Sequence, residues 1–274
     1  MNKKSLAILM GSVSLFCLLL SVCGCSSSGD DPAAELTNQP GGNSAGGPST
    51  FVAGEKPVWS VDFSGNEPSP SWVAPNPADY ESSMIIMVKL QDELVSYSTD
   101  EDRMTVLIDD ECRAIPSRRI VYDDGTVYFV LNIQGNHNDR DVRFSLCYYC
   151  AALHQLFTIT GQETFVTELT YGVDEDFEPS MLKGCKRYPV QNTLTVSMPP
   201  SAPFTSAEGD IVGVFVGDQC RGVGSVGKAF TVYRTSAQES LQLRYYSTQQ
   251  KGTYTLSQAV AIGETEKKEI TINF

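Results

Sequence analysis

The stretch "RGVGSVGKA" at residues 221–229 has glycines at the spacing of a phosphate-binding loop. It matches the dinucleotide pattern, and Gly227 with Lys228 nearly completes a nucleotide-triphosphate loop. Both motifs need a following helix whose N-terminal amide groups meet the phosphate. The next residues, "AFTVYRT", alternate like a strand, and Ala229 stands where a magnesium-binding hydroxyl is required. We therefore predict the end of a hairpin strand and a turn here, not a nucleotide site.

Nucleophilic catalysis would need a base, and the chain has only two histidines, His137 and His154. His137 lies in "GNHNDRD", which is typical of a hairpin loop, and no "GxSxG" nucleophile elbow is present. A catalytic triad is defined by its arrangement in space, so a site assembled from distant residues is the alternative. A hydrolase is therefore the less favoured class.

Five cysteines follow the N-terminal segment, and without a pair of CxxC motifs they do not suit a zinc site. Cys147 and Cys150 are three residues apart in a strand pattern. They should point to opposite faces, about 10 Å apart, and not bridge each other. Alternation places Cys150 in the core and Cys147 on the outer face. The candidate disulfide is Cys147–Cys185, which an exported compartment permits.

Acidic clusters raise the question of calcium. "STDEDR" supplies Asp100, Glu101 and Asp102, a later stretch supplies Glu208 and Asp210, and "GVDEDFE" adds four carboxylates. Oxygen-rich loops suit calcium, but the spacing is not that of an EF-hand. Solvated turns explain the clusters more simply. We predict no cofactor and no metal site, with calcium as the alternative.

Aromatic residues are the remaining candidates for ligand binding. Trp59 and Trp72 are the only tryptophans, in the turn-rich stretch "PVWSVDFSGNEPSPSWVAPNP". Tyr149 and Tyr246 should point outward on equivalent strands. Exposed rings with polar neighbours can stack on a sugar or a partner surface, so these four are the candidate ligand-binding residues. The alternative for the tryptophans is a place in the core of the first domain or at its edge.

These residues lie on a chain that repeats itself. "DRMTVLIDDECRAIP" at 102–116 aligns with "DIVGVFVGDQCRGVG" at 210–224 without a gap, and "MIIMVKL" aligns with "NTLTVSM" at the same offset. Further on, "FSLCYY" aligns with "LQLRYY" after a shorter loop. A period near 100 residues suits duplicated domains. Short runs rich in branched and aromatic residues, separated by turns, predict an all-β fold of two tandem antiparallel β-sandwich domains.

The repeated segment should be a hairpin with a two-residue turn, at 109–110 in the first copy and 217–218 in the second. This pairing sets Leu107 opposite Cys112 and Phe215 opposite Cys220. Alternation then predicts that both cysteines are small core residues. It also predicts that the arginines that follow them, Arg113 and Arg221, lie on the sheet surface.

The N-terminus has the pattern of a lipoprotein export signal, with two lysines, an apolar run and then "VCGC". We predict a signal peptide over residues 1–24 and lipidation of Cys25. An ordinary secretory signal cut near Gly24 is the alternative. Residues 25–50 have almost no large apolar residue and should form a flexible tether. The first domain is then residues 51–184 and the second is residues 185–274.

The mature chain would be strongly acidic. Without residues 1–24 it keeps 18 basic and 33 acidic residues, a net charge of −15. Such a chain does not hold polyanions by charge, which excludes nucleic acid as a partner and electrostatic docking on a membrane. The lipid alone should make the membrane contact.

The motifs "NPADYESSMIIMVKL", "DRMTVLIDDECRAI" and "ETFVTELTYG" resemble a repeated β-sandwich domain of surface and secreted proteins in Bacteroides-type bacteria. The resemblance covers most of residues 57–182 and implies fold and location, but no catalytic assignment. The first copy departs from the pattern at Ala114, Ile115 and Pro116, so its second hairpin strand should end early. The serines and acids after Cys25 resemble the stretch that sends such lipoproteins to the outer face of the outer membrane.

Together these observations predict a non-enzymatic, surface-exposed lipoprotein with a binding or adhesion role. It would be anchored in the outer membrane through lipid and face the cell exterior. Its ligand would be a glycan or a surface protein. The alternative is a structural accessory subunit of an outer-membrane complex.

Overall fold

The structure is a computed structural model that describes residues 49–263 and 267–274. The predicted signal peptide, the predicted lipidation site Cys25 and the predicted tether up to residue 48 lie outside the described residues. Within the described ranges, no helix is both long and apolar enough to span a membrane.

Strands dominate the described residues, which confirms the predicted all-β fold. Sixteen strands form four sheets, and the pairing within them is mainly antiparallel. The one α-helix described, α1 (Asp92–Val95), has four residues. The strands in chain order are β1 (Thr50–Ala53), β2 (Ser82–Lys89), β3 (Arg103–Ile108), β4 (Glu111–Cys112), β5 (Ile120–Val121), β6 (Val127–Gly135), β7 (Arg143–Cys150), β8 (Gln155–Thr164), β9 (Thr170–Tyr171), β10 (Val190–Ser197), β11 (Ile211–Val216), β12 (Gln219–Gly224), β13 (Ala229–Arg234), β14 (Leu241–Ser247), β15 (Gly252–Val260) and β16 (Lys267–Thr271).

The same strand order occurs in both halves of the chain. The N-terminal half has sheets ordered β4-β3-β7-β8 and β5-β6-β2-β9. The C-terminal half has β12-β11-β14-β15, extended by β1, and β13-β10-β16. Each half also ends with a strand that pairs in parallel with an early strand of the same half. In the N-terminal half β9 pairs with β2, and in the C-terminal half β16 pairs with β10. The aligned segments of the sequence therefore occupy corresponding strands.

The buried apolar residues form two clusters, and each cluster draws side chains from two sheets. Strand β2 shows how the sequence specifies this, because Met84, Ile86 and Val88 are buried while Ile85 between them is exposed. Tyr233 of the C-terminal half belongs to the first cluster. The two halves thus meet through packed aromatic side chains within one compact unit.

Strand β1 pairs with β15 in the C-terminal half, although it precedes the whole N-terminal half in sequence. The prediction that residues 51–184 make up the first domain did not anticipate this pairing. The physical basis is visible at Gly252, where an added Cβ would lie 2.4 Å from the Phe51 ring. Gly252 therefore leaves room for Phe51, whose ring also packs against Tyr254 at 4.7 Å.

Both repeated hairpins have the predicted two-residue turns and register. Leu107 pairs with Cys112, and Phe215 pairs with Cys220. Strand β4 has two residues whereas β12 has six, which confirms that the second strand of the first hairpin ends early. In the second hairpin Val214 pairs with Gly222, so Arg221 is the extra residue of a β-bulge.

Candidate functional site

A segment over residues 54–63, the N-terminal strap, leads from β1 across the outer face of the sheet that contains β11. Its Trp59 ring packs edge-on against Phe215, with ring centres 5.4 Å apart. Gly213 makes this contact feasible, because a Cβ there would lie 2.8 Å from the Trp59 ring and 2.5 Å from the Phe215 ring. The first copy has Thr105 at the position that corresponds to Gly213. The absence of a side chain at Gly213 therefore leaves the space that the Trp59 ring occupies.

The Phe215 ring is fixed from a second side by an arginine. The guanidinium of Arg244 lies over it, 4.1 Å from the ring centre. Arg244 also donates hydrogen bonds to the Gly217 carbonyl and to Asp218, both at 3.0 Å. Phe215, and with it Trp59, is thus held by the hairpin turn as well as by the sheet.

Trp59 stands between two open cavities. The larger cavity, of about 460 Å³, is the aromatic groove, lined chiefly by Trp59, Phe63, Glu93, Tyr97, Phe230 and Tyr233. The smaller, of about 270 Å³, lies beside the ion pair that Asp62 forms with Arg187 at 2.7 Å. Trp59 and Ser60 line both cavities, so the two cavities adjoin at this part of the strap.

Three parts of the chain build the aromatic groove: the N-terminal strap, α1 of the N-terminal half, and β12 with β13 of the C-terminal half. The rings of Phe63 and Tyr233 form its buried base and pack edge-on at 4.9 Å. The rings of Trp59, Tyr97 and Phe230 are half-buried around it. The groove therefore presents aromatic surface that is already fixed by packing.

The polar groups of the groove are few. Glu93 is the one charged residue among those that line it, and it is exposed. Ser60, Ser96 and Thr231 add hydroxyl groups. Burial, and secondarily the nearby Glu93 carboxylate, raise the pKa of Tyr233, so its phenol stays protonated. Aromatic faces with hydroxyls and one carboxylate suit a neutral ligand that carries hydroxyl groups.

The predictions for the four aromatic candidates had different outcomes. Trp59 lines the aromatic groove, packed on the second repeat and not in the core of the first. The expectation that the outward-pointing rings of Tyr149 and Tyr246 are exposed was wrong, because they are only 4% and 6% exposed. Trp72 is half-buried and does not line the groove.

Tyr149 is buried because a second segment covers its sheet. Residues 64–80 are fixed at one end where Glu67 accepts a 2.6 Å bond from the Leu156 amide. At the other end the Tyr80 hydroxyl donates to Glu111 at 2.9 Å. The Tyr149 hydroxyl also donates to the Glu67 carbonyl at 3.3 Å, so the start of this segment lies against β7 and β8. The alternation argument gave Tyr149 the correct face but could not reveal the cover.

The predictions for the cysteines also had different outcomes. Cys147, predicted to point outward, is 2% exposed, while Cys150 is buried in the first cluster as predicted. Among the described residues the five cysteines are all free thiols, so the predicted Cys147–Cys185 disulfide was wrong. Cys185 lies in the core cluster, while Cys147 contacts Thr158 on the outer face at 3.6 Å. Burial raises the pKa of both thiols.

The prediction of surface arginines and core cysteines in the hairpins was also wrong. Arg113 and Arg221 are 8% and 4% exposed, whereas Cys112 and Cys220 are half-buried. The β-bulge turns Arg221 inward, and the early end of β4 does the same for Arg113. Strict alternation does not hold past either irregularity.

Each buried arginine lies between a tyrosine and a carboxylate. Arg113 stacks over Tyr80 at 5.0 Å and pairs with Asp139 at 2.8 Å. Arg221 stacks over Tyr188 at 5.2 Å and pairs with Glu239 at 2.9 Å. The two tyrosines and the two arginines are each 108 residues apart, a signal the sequence contained. These contacts fix the hairpins to neighbouring loops, which is a structural role.

Asp102 and Asp210, considered as calcium ligands, are instead buried hydrogen-bond acceptors. Asp102 accepts from the Tyr148 hydroxyl at 2.6 Å and the Ala151 amide at 2.9 Å. Asp210 accepts from the Tyr245 hydroxyl and from the Thr248 amide and hydroxyl. Burial alone would raise the pKa of Asp210, but these bonds outweigh it and hold the pKa below its ordinary value.

The other acidic cluster has a partner of its own, since Lys89 bonds both Asp176 and Glu178 at 3.1 Å. Over the described ranges, no group of three or more His, Cys, Asp and Glu side chains could hold a metal ion.

The glycine-rich stretch is the end of β12, a turn and the start of β13, which confirms the sequence prediction. Gly227 adopts a φ of +75° in the turn, a backbone conformation that favours glycine. Both histidines are exposed, and neither lines one of the two cavities beside Trp59.

No known family model and no curated protein matches this chain.

Proposed function

We propose that the protein is a non-enzymatic lipoprotein with a binding or adhesion role. In this proposal it is held in the outer membrane by lipid on Cys25 and faces the cell exterior. Two tandem antiparallel β-sandwich domains, near residues 51–184 and 185–274, carry the binding surface, and the N-terminal strap reaches over the second. The ligand is a glycan or a surface protein. Nucleic acid takes no part, because the acidic chain repels it.

The aromatic groove supports a binding role. Its volume of about 460 Å³ lies within the range of roughly 300–1,000 Å³ that small-molecule sites occupy. Its aromatic walls are held by packing on Phe215 and Tyr233, so little side-chain freedom is lost when a ligand binds. Partly exposed aromatic rings that line a groove are commonly found where proteins recognise sugars or other proteins.

A broad glycan array, probed with the full chain extracted in mild detergent, tests this proposal. We expect reproducible signals that persist when calcium is chelated, because no metal site takes part. A blank array would contradict glycan binding and transfer the assignment to a protein ligand. Capture of surface proteins from intact cells would then be the next measurement.

The alternative of a structural accessory subunit has one observation in its favour. The sheet ordered β5-β6-β2-β9 has apolar residues on its outer face, where Ile85, Ile120, Tyr122 and Val130 are 38–49% exposed. Exposed apolar residues on one sheet face are typical of a contact with another protein. Co-purification of an outer-membrane protein after detergent extraction, lost in Val130→Lys, would support this function.

A further inference from the structure

The aromatic groove restricts the chemistry of its ligand more narrowly than a general binding role requires. We propose that it binds a pyranose ring of a neutral glycan, stacked on the indole of Trp59, with a sugar hydroxyl held by Glu93. The inference rests on the proposed binding function and specifies its ligand class.

The position of Trp59 allows a sugar ring to stack on its indole. Trp59 contacts the sheet at Gly213, is only half-buried, and lines both cavities. In this proposal the face of the indole that is free of the sheet borders the aromatic groove. The C–H groups on one face of a pyranose pack well against such a flat apolar surface. Tyr97 and Phe230 lie around the same groove and extend the apolar contact.

The polar groups that line the groove suit the hydroxyl groups of a sugar. Pyranose hydroxyls need acceptors and donors at the edges of the stacking surface, and Glu93, Ser60 and Ser96 are exposed and line the groove. A carboxylate is the stronger acceptor, because hydrogen bonds to an ionised group are about twice as strong as neutral ones. Ser96 follows Glu93 by three residues at the end of α1, so the two are neighbours on one turn.

The charge of the groove favours neutral over acidic sugars. No lysine, arginine or histidine is among the residues that line the groove, and its one charged side chain is the acid Glu93. The whole chain also carries a formal net charge of −13. A uronate, sulfate or sialic acid group placed here would meet like charge with no cation to offset it. The ligand should therefore be uncharged.

The experiment compares matched neutral and acidic oligosaccharides. The full chain in mild detergent is applied to an array that carries hexose oligosaccharides with and without uronate, sulfate or sialic acid groups. The strongest neutral hits are then titrated by calorimetry. We expect acidic counterparts to bind at least tenfold more weakly than neutral ones.

Three variants in the groove and one control outside it locate the site. Trp59→Ala should weaken binding at least tenfold, while Trp72→Ala, the matched control outside the groove, should leave affinity within twofold. Because loss of Trp59 could disturb the strap, Glu93→Gln provides a second test at an exposed position, with an expected loss of about tenfold at an unchanged melting temperature. Glu93→Lys should reverse the preference toward acidic sugars.

The outcomes separate this inference from the proposed function. Neutral hits that depend on both Trp59 and Glu93 support the inference. Glycan binding that persists in Trp59→Ala and Glu93→Gln, or that favours acidic sugars in the wild-type chain, overturns it while the binding function stands. A blank array with retained capture of a surface protein also overturns it. A chain that binds neither would contradict the proposed function itself.

Discussion

At the residue scale, the buried arginines show how far the sequence could be interpreted. The repeated "CR" dipeptide, the turn and the register of the hairpin all followed from alternation and offset. The burial of Arg113 and Arg221 did not, because it depends on a β-bulge and on a strand that ends early. Their carboxylate partners Asp139 and Glu239 are 100 residues apart, whereas the aligned stretches on either side are offset by 108 and 97 residues. Comparison of the two copies therefore does not reveal these partners.

The ion pair of Arg221 with Glu239 should contribute strongly to stability. The two side chains are 4% and 11% exposed, and removal of one partner leaves the other charge in poor contact with water. We expect Arg221→Met to lower the free energy of unfolding by about 3 kcal/mol in urea titrations. Arg140→Met is the control, because Arg140 is 70% exposed, and it should change stability by less than about 0.5 kcal/mol. Equal effects of the two substitutions would contradict the structural role of Arg221.

The same pair predicts a dependence of stability on pH. Burial opposes ionisation of Glu239, but hydrogen bonds from Thr235 and Arg221 outweigh it and hold the pKa of Glu239 below the ordinary 4.5. A carboxyl whose pKa is lower in the folded state adds stability above the unfolded pKa and loses it as pH falls through the folded pKa. The melting temperature should therefore fall as pH is lowered below about 4.5.

Glu239→Gln should flatten this acid-induced fall while it lowers the melting temperature at pH 7. Glu175→Gln, which removes an exposed carboxylate, is the matched control for the melting temperature at pH 7 and should leave it unchanged. A profile for Glu239→Gln that matches the wild-type slope below pH 4.5 would show that this carboxyl does not contribute to the acid sensitivity.

At the scale of elements, the N-terminal strap is the feature that positions the groove. The sequence indicated strands and turns but could not indicate that β1 pairs with β15, about 200 residues further along the chain. Local patterns carry no information on such a distant pairing. One signal was present: Gly213 replaces the Thr105 of the first copy, and Trp59 needs that space.

Gly213→Val should therefore displace Trp59. The added side chain would meet both the Trp59 and Phe215 rings at less than 3.0 Å. We expect a loss of about 1–3 kcal/mol in stability, as for other overpacked sites, and a shift of tryptophan fluorescence to longer wavelength. Gly54→Ala in the same strap is the matched control, since an added Cβ there contacts nothing within 4 Å. An unchanged emission spectrum in Gly213→Val would contradict the packing of Trp59 against Gly213.

At the scale of the whole molecule, the same strand order in both halves makes duplication the simplest account of the fold. The aligned motifs predicted the repeated strand order better than they predicted side-chain contacts. The pattern of strands repeats in both halves even where individual contacts differ. The groove itself could not be predicted, because it exists only where the strap, α1 and the β12–β13 pair come together. The proposed location of the chain depends on the N-terminal motif and needs its own test.

Lipidation of Cys25 predicts that cells incubated with labelled palmitate incorporate it into the wild-type chain. Cys25→Ala should abolish labelling and release the protein from the membrane fraction, while Cys23→Ala should leave both unchanged. Proteinase added to intact cells should degrade the wild-type chain if it faces outward. Labelling that persists in Cys25→Ala would place the anchor elsewhere.

Ligand binding at Trp59, and not at Trp72, can be measured directly on this chain. Its two tryptophans give two indole N–H signals in a proton–nitrogen NMR spectrum of the soluble chain from residue 26 onward, and Trp72→Phe assigns them. Titration with a mixture of neutral hexose oligosaccharides should shift the Trp59 signal progressively and leave the Trp72 signal in place. A shift confined to Trp72, or no shift of either signal at millimolar sugar, would contradict the aromatic groove as a glycan-binding site.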